Sequence, residues 1–500
     1  MAPYPTPTPA IDAFAASRSI LDRIITRLGD EDMTGCTEHV LEEYVTTAGR
    51  DLQRQLIQDQ LDARAAAETR LSAVVGADAV VRRRAERGHA RQVATTVGRV
   101  QATRIAYRAP AVSNLYPADM TLALPERLYS FPLQKTIVHE AATGSLRQAA
   151  ETLHRVTGQR ISTGQLMDTV TTAATDIRDF YQHQPIVTGD PGDLLVLSID
   201  ATGIAMTPTS LRNPAPPPPA VPQPPHARLS EPERTGRTRM ATVIACYDAA
   251  PAVRGAADIL PTTAGERAGR RPGPTATGRH LDASVEHGIT VMTSRLFDHA
   301  QHRDPQQRRR WIALVDGNNH QLDRITTEAH DRGIKITIIV DFIHVLQYLW
   351  DAAADLHPTQ PGRAGFVEHT ARDLLGSNTA QVIAQLTTAR STLGDDLPAP
   401  GLDRAIAYLT AKQPYLHYRQ ALAMGWPIAT GVIEGACRHL VKDRLAITGA
   451  RWSLTSAEAV LLLRALITNG DLDAYWTYHI QQEHQRVHTS RYQHQYDLAA

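Results

Sequence analysis

Three acids stand where a carboxylate needs a reason to be. Asp200 lies inside LLVLSIDATGIAM, residues 194–206, a leucine-rich and β-branched run of strand type; Asp316 falls at the end of WIALVDG, residues 311–317; Glu434 belongs to TGVIEGACRHLVKDRLAITGARWS, residues 430–453. An ionised Asp in a buried strand costs on the order of several kcal/mol unless something pairs with it. Oxygen ligands drawn from two strands and a helix suit a hard cation such as Mg2+, and two such ions about 3.5–4 Å apart can clamp the attacking and leaving oxygens of a phosphodiester displacement. Each acid also has a plainer role open to it. Asp200 can be a hairpin residue, Asp316 a turn former in VDGNN, and Glu434 the i,i+4 partner of Arg438.

Positioning the three groups falls to a recognisable order of elements. LLVLSIDATGIAM and MATVIACYDAA read as an antiparallel hairpin whose loop is expanded, RHLDASV as a third strand, and VMTSRLFDHAQ as a helix. WIALVDG and IKITIIVDFIH, residues 334–344, flank the amphipathic helix NHQLDRITTEAHDRG, closed by Gly333, and so predict a parallel strand pair. Residues 345–427 read as helices only, with breaks at Pro358, Pro361 and Gly394 to Gly401. Thr430 can cap the helix of Glu434, Arg438 and Lys442, which follow at steps of four. A strand hairpin, a strand–helix–strand unit and a late helix, each with one acid, reproduce the order of an RNase H-like core. The expected fold is therefore an α/β RNase H-like core with a long all-α insertion, behind helical, small β and helix-turn-helix-like N-terminal regions.

That expectation divides the chain into a helical region 1–80, an arginine-rich β-hairpin region 81–135, a helix-turn-helix-like region 136–185, a core 186–348 with a disordered proline-rich insertion 207–240, a helical insertion 349–427, a Glu434 helix and closing helix over 428–480, and a tail 481–500. In the first region Leu41, Val45, Ala48, Leu52 and Leu56 recur at spacings of three and four, as in a packed helical hairpin. Between 82 and 108, Arg82, Arg83, Arg84, Arg87, Arg91, Arg99, Arg104 and Arg108 face the single acid Glu86, which makes a phosphate-contacting surface and a solvated face comparable readings. VATTVGRVQATRIAYR reads as a hairpin about Gly98. In residues 144–174, Ser145 and either Ser162 or Thr163 can cap two helices separated by Gly158, as a DNA-reading pair or an ordinary helical pair.

Composition narrows the class. Lys plus Arg and Asp plus Glu both total 52 in 500 residues, so any attraction to a polyanion is local. Cys36, Cys246 and Cys437 lie far apart, which fits a reducing compartment and excludes a CxxC zinc module. MAPYPTPTPA has neither a basic nor an apolar leader segment, and no apolar run approaches a membrane span, so the chain reads as soluble and cytoplasmic.

SIDATGIAM, VDGNNHQLDRI, DFIHVLQYLW, GVIEGACRHLVKDRLAITGARWS and AEAVLLLRALITNGDLDAYW together resemble the ISKra family of bacterial insertion-sequence transposases, relatives of the Mutator-like DDE transposases. The resemblance covers about 95–480, and its last block is the most specific. It implies Mg2+-dependent cleavage and joining of DNA at element ends, with Asp200, Asp316 and Glu434 as catalytic and metal-holding residues for two Mg2+ ions, or Mn2+ in their place. Asp341 and His344 match the family's C/D-x-x-H signature as accessory groups; a helix-capping Asp341 with a packed His344 is the plainer alternative. The implied partners are element ends and target DNA, with a homodimer or higher oligomer joining the ends, at the bacterial nucleoid. Arg82, Arg83, Arg84, Arg99, Arg104, Arg438, Lys442, Arg444 and Arg451 are the expected DNA contacts. Trp452 is expected to seal its helix against the core rather than stack on a base, and Thr455 with Glu458 to form a capping box. The chain departs from the family in lacking cysteine pairs near 106–119 and the Trp that often follows the second Asp, and in its long proline-rich loop. Two alternatives stay open: an RNase H-like nuclease that cuts without joining, and a catalytically inactive or domesticated DNA-binding derivative.

Overall fold

In the computed structural model, described over residues 12–185, 188–211, 237–376, 379–394, 397–447 and 449–493, the chain divides into two compact units. The first joins residues 1–180 to 472–500, and the second is residues 181–471. The last long helix, Leu472–Val487, thus belongs with the N-terminal regions and not with the Glu434 segment.

The second unit is built on a five-stranded mixed sheet. Its strands are β5 (Leu194–Ala205), β6 (Thr238–Ala249), β7 (Ala276–Ser284), β8 (Trp311–Val315) and β9 (Ile336–Val340), in the order β7-β6-β5-β8-β9. The numbering leaves β1 to β4 for the first unit. β5 pairs antiparallel with β6 and parallel with β8, β6 pairs antiparallel with β7, and β8 pairs parallel with β9. Alternation sorts the sheet's faces. Leu195, Leu197, Ile199, Trp311, Ala313, Val315 and Ile338 join one core cluster with Leu296, Phe297, Leu322 and Ile325, which come from helices Ile289–Arg303 and Asn319–Asp331. The residues one step along each strand therefore face the other way. Helix Leu454–Asn469 packs against β7, and its Glu458 side chain accepts hydrogen bonds from Ser284 Oγ, Val285 N and Glu286 N at 2.8, 2.8 and 3.1 Å. That use of Glu458 replaces the expected capping box: Ser453 is the N-cap and accepts from Ser456 N at 3.2 Å.

The all-helical insertion consists of Phe342–Leu356, Gln360–Gly376, Thr379–Leu393, Pro400–Lys412 and Tyr418–Ala423. Pro361 does not break it, because it occupies the first turn of its helix, where a missing N–H costs nothing. Most of the expected proline-rich insertion, 212–236, lies outside the described residues; at its edges β6 starts at Thr238 and a short 3-10 turn occupies Pro208–Ser210.

In the first unit, β1 (Val74–Val75) pairs with β2 (Val81–Arg82), and β3 (Arg84–Thr95) with β4 (Gly98–Arg108), the expected hairpin, turning at Gly98 with a bulge between Glu86 and His89. Helices Leu146–Thr157 and Thr163–Ala173 follow, capped by Ser145 and Ser162, each accepting from the N3 amide and each backed by a Gln in a full capping box. Gly158 between them takes φ +73°, the left-handed conformation that ends the first helix. The stripe expected in the 30-residue helix Glu38–Ala67 is not a core stripe. Leu41, Val45 and Leu56 are exposed, and the residue it buries is Asp59, which accepts from Ser17 N and Oγ of helix Ala15–Leu28. Among the described residues no helix is long and apolar enough to cross a membrane.

Candidate active site

Strand register brings three acids into a row. Leu195 stands opposite Trp311 and Val315 opposite Val340. Extending those registers puts Asp200 opposite Asp316 and Asp316 opposite Asp341, on three neighbouring parallel strands and on the face away from the Leu195–Trp311 core. Asp341 N donates to Val315 O at 2.8 Å, which fixes the last step of the row.

Glu434 comes to the same place from helix Gly431–Ala436. The expected cap does not form there: Thr430 takes the N-cap position, but its buried hydroxyl lies 2.9 Å from Asp341 Oδ2 and 2.8 Å from Glu434 Oε1. A hydroxyl has one hydrogen, so Thr430 donates to one of the two carboxylates at a time. Burial raises the Asp341 carboxyl above its ordinary range, and the charge of Glu434 adds to the effect. Asp341 Oδ1 also accepts from Ile343 N at 3.1 Å, the N-cap contact of helix Phe342–Leu356, so Asp341 is both cap and site residue.

Beyond Glu434 the helix widens into a π-helical turn over Cys437–Lys442. The step of four is lost there, and the exposed Arg438 stands 3.7 Å from Asp443, not against Glu434. The same turn lays the buried Cys437 Sγ 3.3 Å from Asp200 Oδ2. Burial and the adjacent Asp200 push the thiol well up, so it stays protonated and donates. Asp200 itself is raised, first by burial and further by the charges of Asp316 and Glu434, against the hydrogen bonds from Ala201 N and Cys437. None of Asp200, Asp316, Asp341 and Glu434 has an ion pair within 4 Å among the described residues. The sequence marks Thr430 only as a helix cap and gives no sign of the contact between Cys437 and Asp200.

The helical insertion reaches the row through tyrosines. Tyr408 Oη donates to Asp316 O at 3.1 Å, Tyr418 Oη donates to Val340 O at 2.8 Å, and Lys412 donates to Asn319 Oδ1. His344 stands edge-on to Tyr348 and Tyr408, ring centroids 5.8 and 6.2 Å away, and those two tyrosines stack at 3.9 Å.

Several expected DNA contacts are used internally instead. Arg82, 1 % exposed, donates to Asp78 at 2.8 Å and to Ser113 O; Arg104, 7 % exposed, pairs with Asp119 at 2.6 Å. Arg444 is buried under the Trp452 ring at 4.8 Å, and burial lowers it to about 10. Arg83, Arg84, Arg99, Arg438, Lys442 and Arg451 are exposed. Trp452 seals as expected: it is buried, its Nε1 donates to Leu445 O at 3.1 Å, and its backbone bridges the end of β5.

A different and tighter group lies in the first unit. Asp176, His479 and Glu483 are buried with one ligand atom of each within 4.8 Å of the others, the one such group among the described residues. No family model matches the chain, and no curated protein matches its sequence.

Proposed function

We propose that the chain is a DDE transposase, in which Asp200, Asp316 and Glu434 direct Mg2+-dependent cleavage and joining of DNA at the ends of a mobile element. The observation that carries the reading is the gathering of acids without ion pairs on one face of the sheet, where burial and mutual repulsion raise Asp200 with no cation paired to it among the described residues. The strand order β7-β6-β5-β8-β9, antiparallel on one side of β5 and parallel on the other, is the order of an RNase H-like core and supports it. So does the helical insertion between β9 and the Glu434 helix.

The donor set fits the ion: carboxylate oxygens from β5, the end of β8 and the Glu434 helix, with no nitrogen among them, are what a hard divalent cation prefers. Asp200, Asp316 and Glu434 would hold Mg2+, which when bound supplies charge stabilisation and an acidified oxygen nucleophile. The chain's own groups orient that set. Cys437 holds one oxygen of Asp200, Thr430 fixes Glu434 against Asp341, and Tyr408 fastens the Asp316 turn to the insertion. Arg438, Lys442 and Arg451, exposed on the segment after Glu434, are placed to hold phosphates.

Purified protein incubated with Mg2+ and labelled DNA carrying the inverted repeats that flank its gene should cut at the repeat ends and transfer them to a second DNA. Cutting without transfer assigns a nuclease instead, and binding without cutting assigns an inactive derivative.

A further inference from the structure

The Asp176, His479 and Glu483 group has a different character from the acid row. Asp176 follows helix Thr163–Ala173, and His479 and Glu483 share one face of helix Leu472–Val487 at i,i+4. His479 is 0 % exposed, its Nδ1 lies 2.8 Å from Asp176 Oδ2, and its Nε2 is fully buried with no hydrogen-bond partner. The rings of Tyr475 and Trp476 lie 5.7 and 5.3 Å from the imidazole and keep it dry.

Nδ1 is the imidazole nitrogen that belongs to the group, 2.8 Å from Asp176 Oδ2, and one imidazole with two carboxylates brought this close is a donor set that a transition-metal ion takes. The cation now there is Arg486, which donates to Asp176 Oδ1 at 2.5 Å and to Glu483. Arg486 is 45 % exposed, so its guanidinium can return to water at little cost, unlike the buried acids it covers. Ligand atoms about 2.0–2.2 Å from a zinc ion stand roughly 3–3.5 Å apart, so a group already within 4.8 Å closes on an ion by side-chain rotation alone.

We propose that Asp176, His479 and Glu483 form a binding site for a divalent transition-metal ion, Zn2+ by the chemistry of one imidazole and two carboxylates, and that the ion takes the place of Arg486. The ligand nitrogen separates this site from the all-oxygen row, since imidazole favours Zn2+ over Mg2+. It is independent of the transposase reading.

The test is titration of the full chain with ZnCl2 by calorimetry, with melting temperature as a second readout. One Zn2+ should bind at micromolar or lower concentration and raise the melting temperature by several degrees, in wild type and in Asp200→Asn alike. Glu483→Gln and Asp176→Asn should weaken binding at least tenfold. Arg486→Gln, which removes the competitor, should tighten it at least threefold, a result that a purely structural ion-pair cluster does not give. Absence of micromolar Zn2+ binding to wild type, unchanged binding in folded Glu483→Gln, or weaker binding in Arg486→Gln would each overturn the proposal.

Discussion

Two clusters of acids, one in each unit, are treated oppositely by their surroundings. Burial pushes Asp176 up, but the hydrogen bond from His479 and the charge of Arg486 outweigh it and hold the carboxyl below its ordinary range. Asp341 is buried and Asp200 half-buried, and both remain raised, because their neighbours are a thiol, a hydroxyl, backbone amides and other acids. The first cluster carries its own cation; the second has none in an ion pair with it among the described residues. Carboxylates kept together without a positive partner repel one another, and a proton or a bound cation relieves that repulsion.

The largest expected consequence is functional. Asp200→Asn or Asp316→Asn should reduce Mg2+-dependent nicking by a factor of about 1,000 or more while changing DNA binding, read by gel shift, by less than roughly threefold.

Opposite signs in stability come next, read as melting temperature in EDTA. Asp176→Asn breaks a buried ion-paired network and should lower the melting temperature by several degrees, whereas Asp200→Asn removes a carboxylate that has no ion pair and should raise it by a few. A fall in both would erase the distinction between the clusters.

pH should divide them in the same way. Asp176 is lowered in the fold, so its contribution is present above the usual carboxylate range and is lost as pH falls through its folded value. Asp200 and Asp341 are raised, so metal-free protein pays a penalty that grows as pH rises from the ordinary carboxylate range to their folded values and then stays constant. Added Mg2+ should therefore stabilise more at pH 8 than at pH 4.5, measured by thermal melts in parallel buffers.

A smaller effect concerns the group that joins Asp341 to Glu434. Thr430→Val should lower the nicking rate about tenfold and Thr430→Ser should restore most of it, with circular dichroism unchanged in both. The smallest lies in the hairpin: Arg99→Ala should weaken DNA binding modestly and reduce the salt dependence by about one phosphate contact, whereas Arg104→Ala should lower the melting temperature instead.

Much of the sheet could be read directly. Apolar, β-branched runs marked β5, β6, β8 and β9, and the helix between β8 and β9 announced their parallel pairing. Asp200, Asp316 and Glu434 were legible as a mid-strand, a strand-end and a helix group, but their gathering depends on register, and no local pattern states that Asp200, Asp316 and Asp341 share a row. Partner choice was equally hidden. Arg104 reads as free charge until Asp119, fifteen residues on, folds against it, and Asp176 meets His479 only because the last helix returns to the first unit. Glu458 looked like a capping residue because its spacing from Thr455 was right; the loop at 284–286 offered it three donors and won. The π-helical turn at Cys437–Lys442 leaves no sequence mark, yet it sets Cys437 on Asp200 and takes Arg438 away from Glu434.

The central claim, that the unpaired acids of the second unit exist to hold ions for DNA cleavage, is tested most directly by comparing wild type and Asp200→Asn on the same end-labelled DNA with and without Mg2+. The account predicts nicked product only for wild type with Mg2+, and equal DNA binding by both proteins. Nicking by Asp200→Asn at the wild-type rate, or by wild type in EDTA, would contradict it.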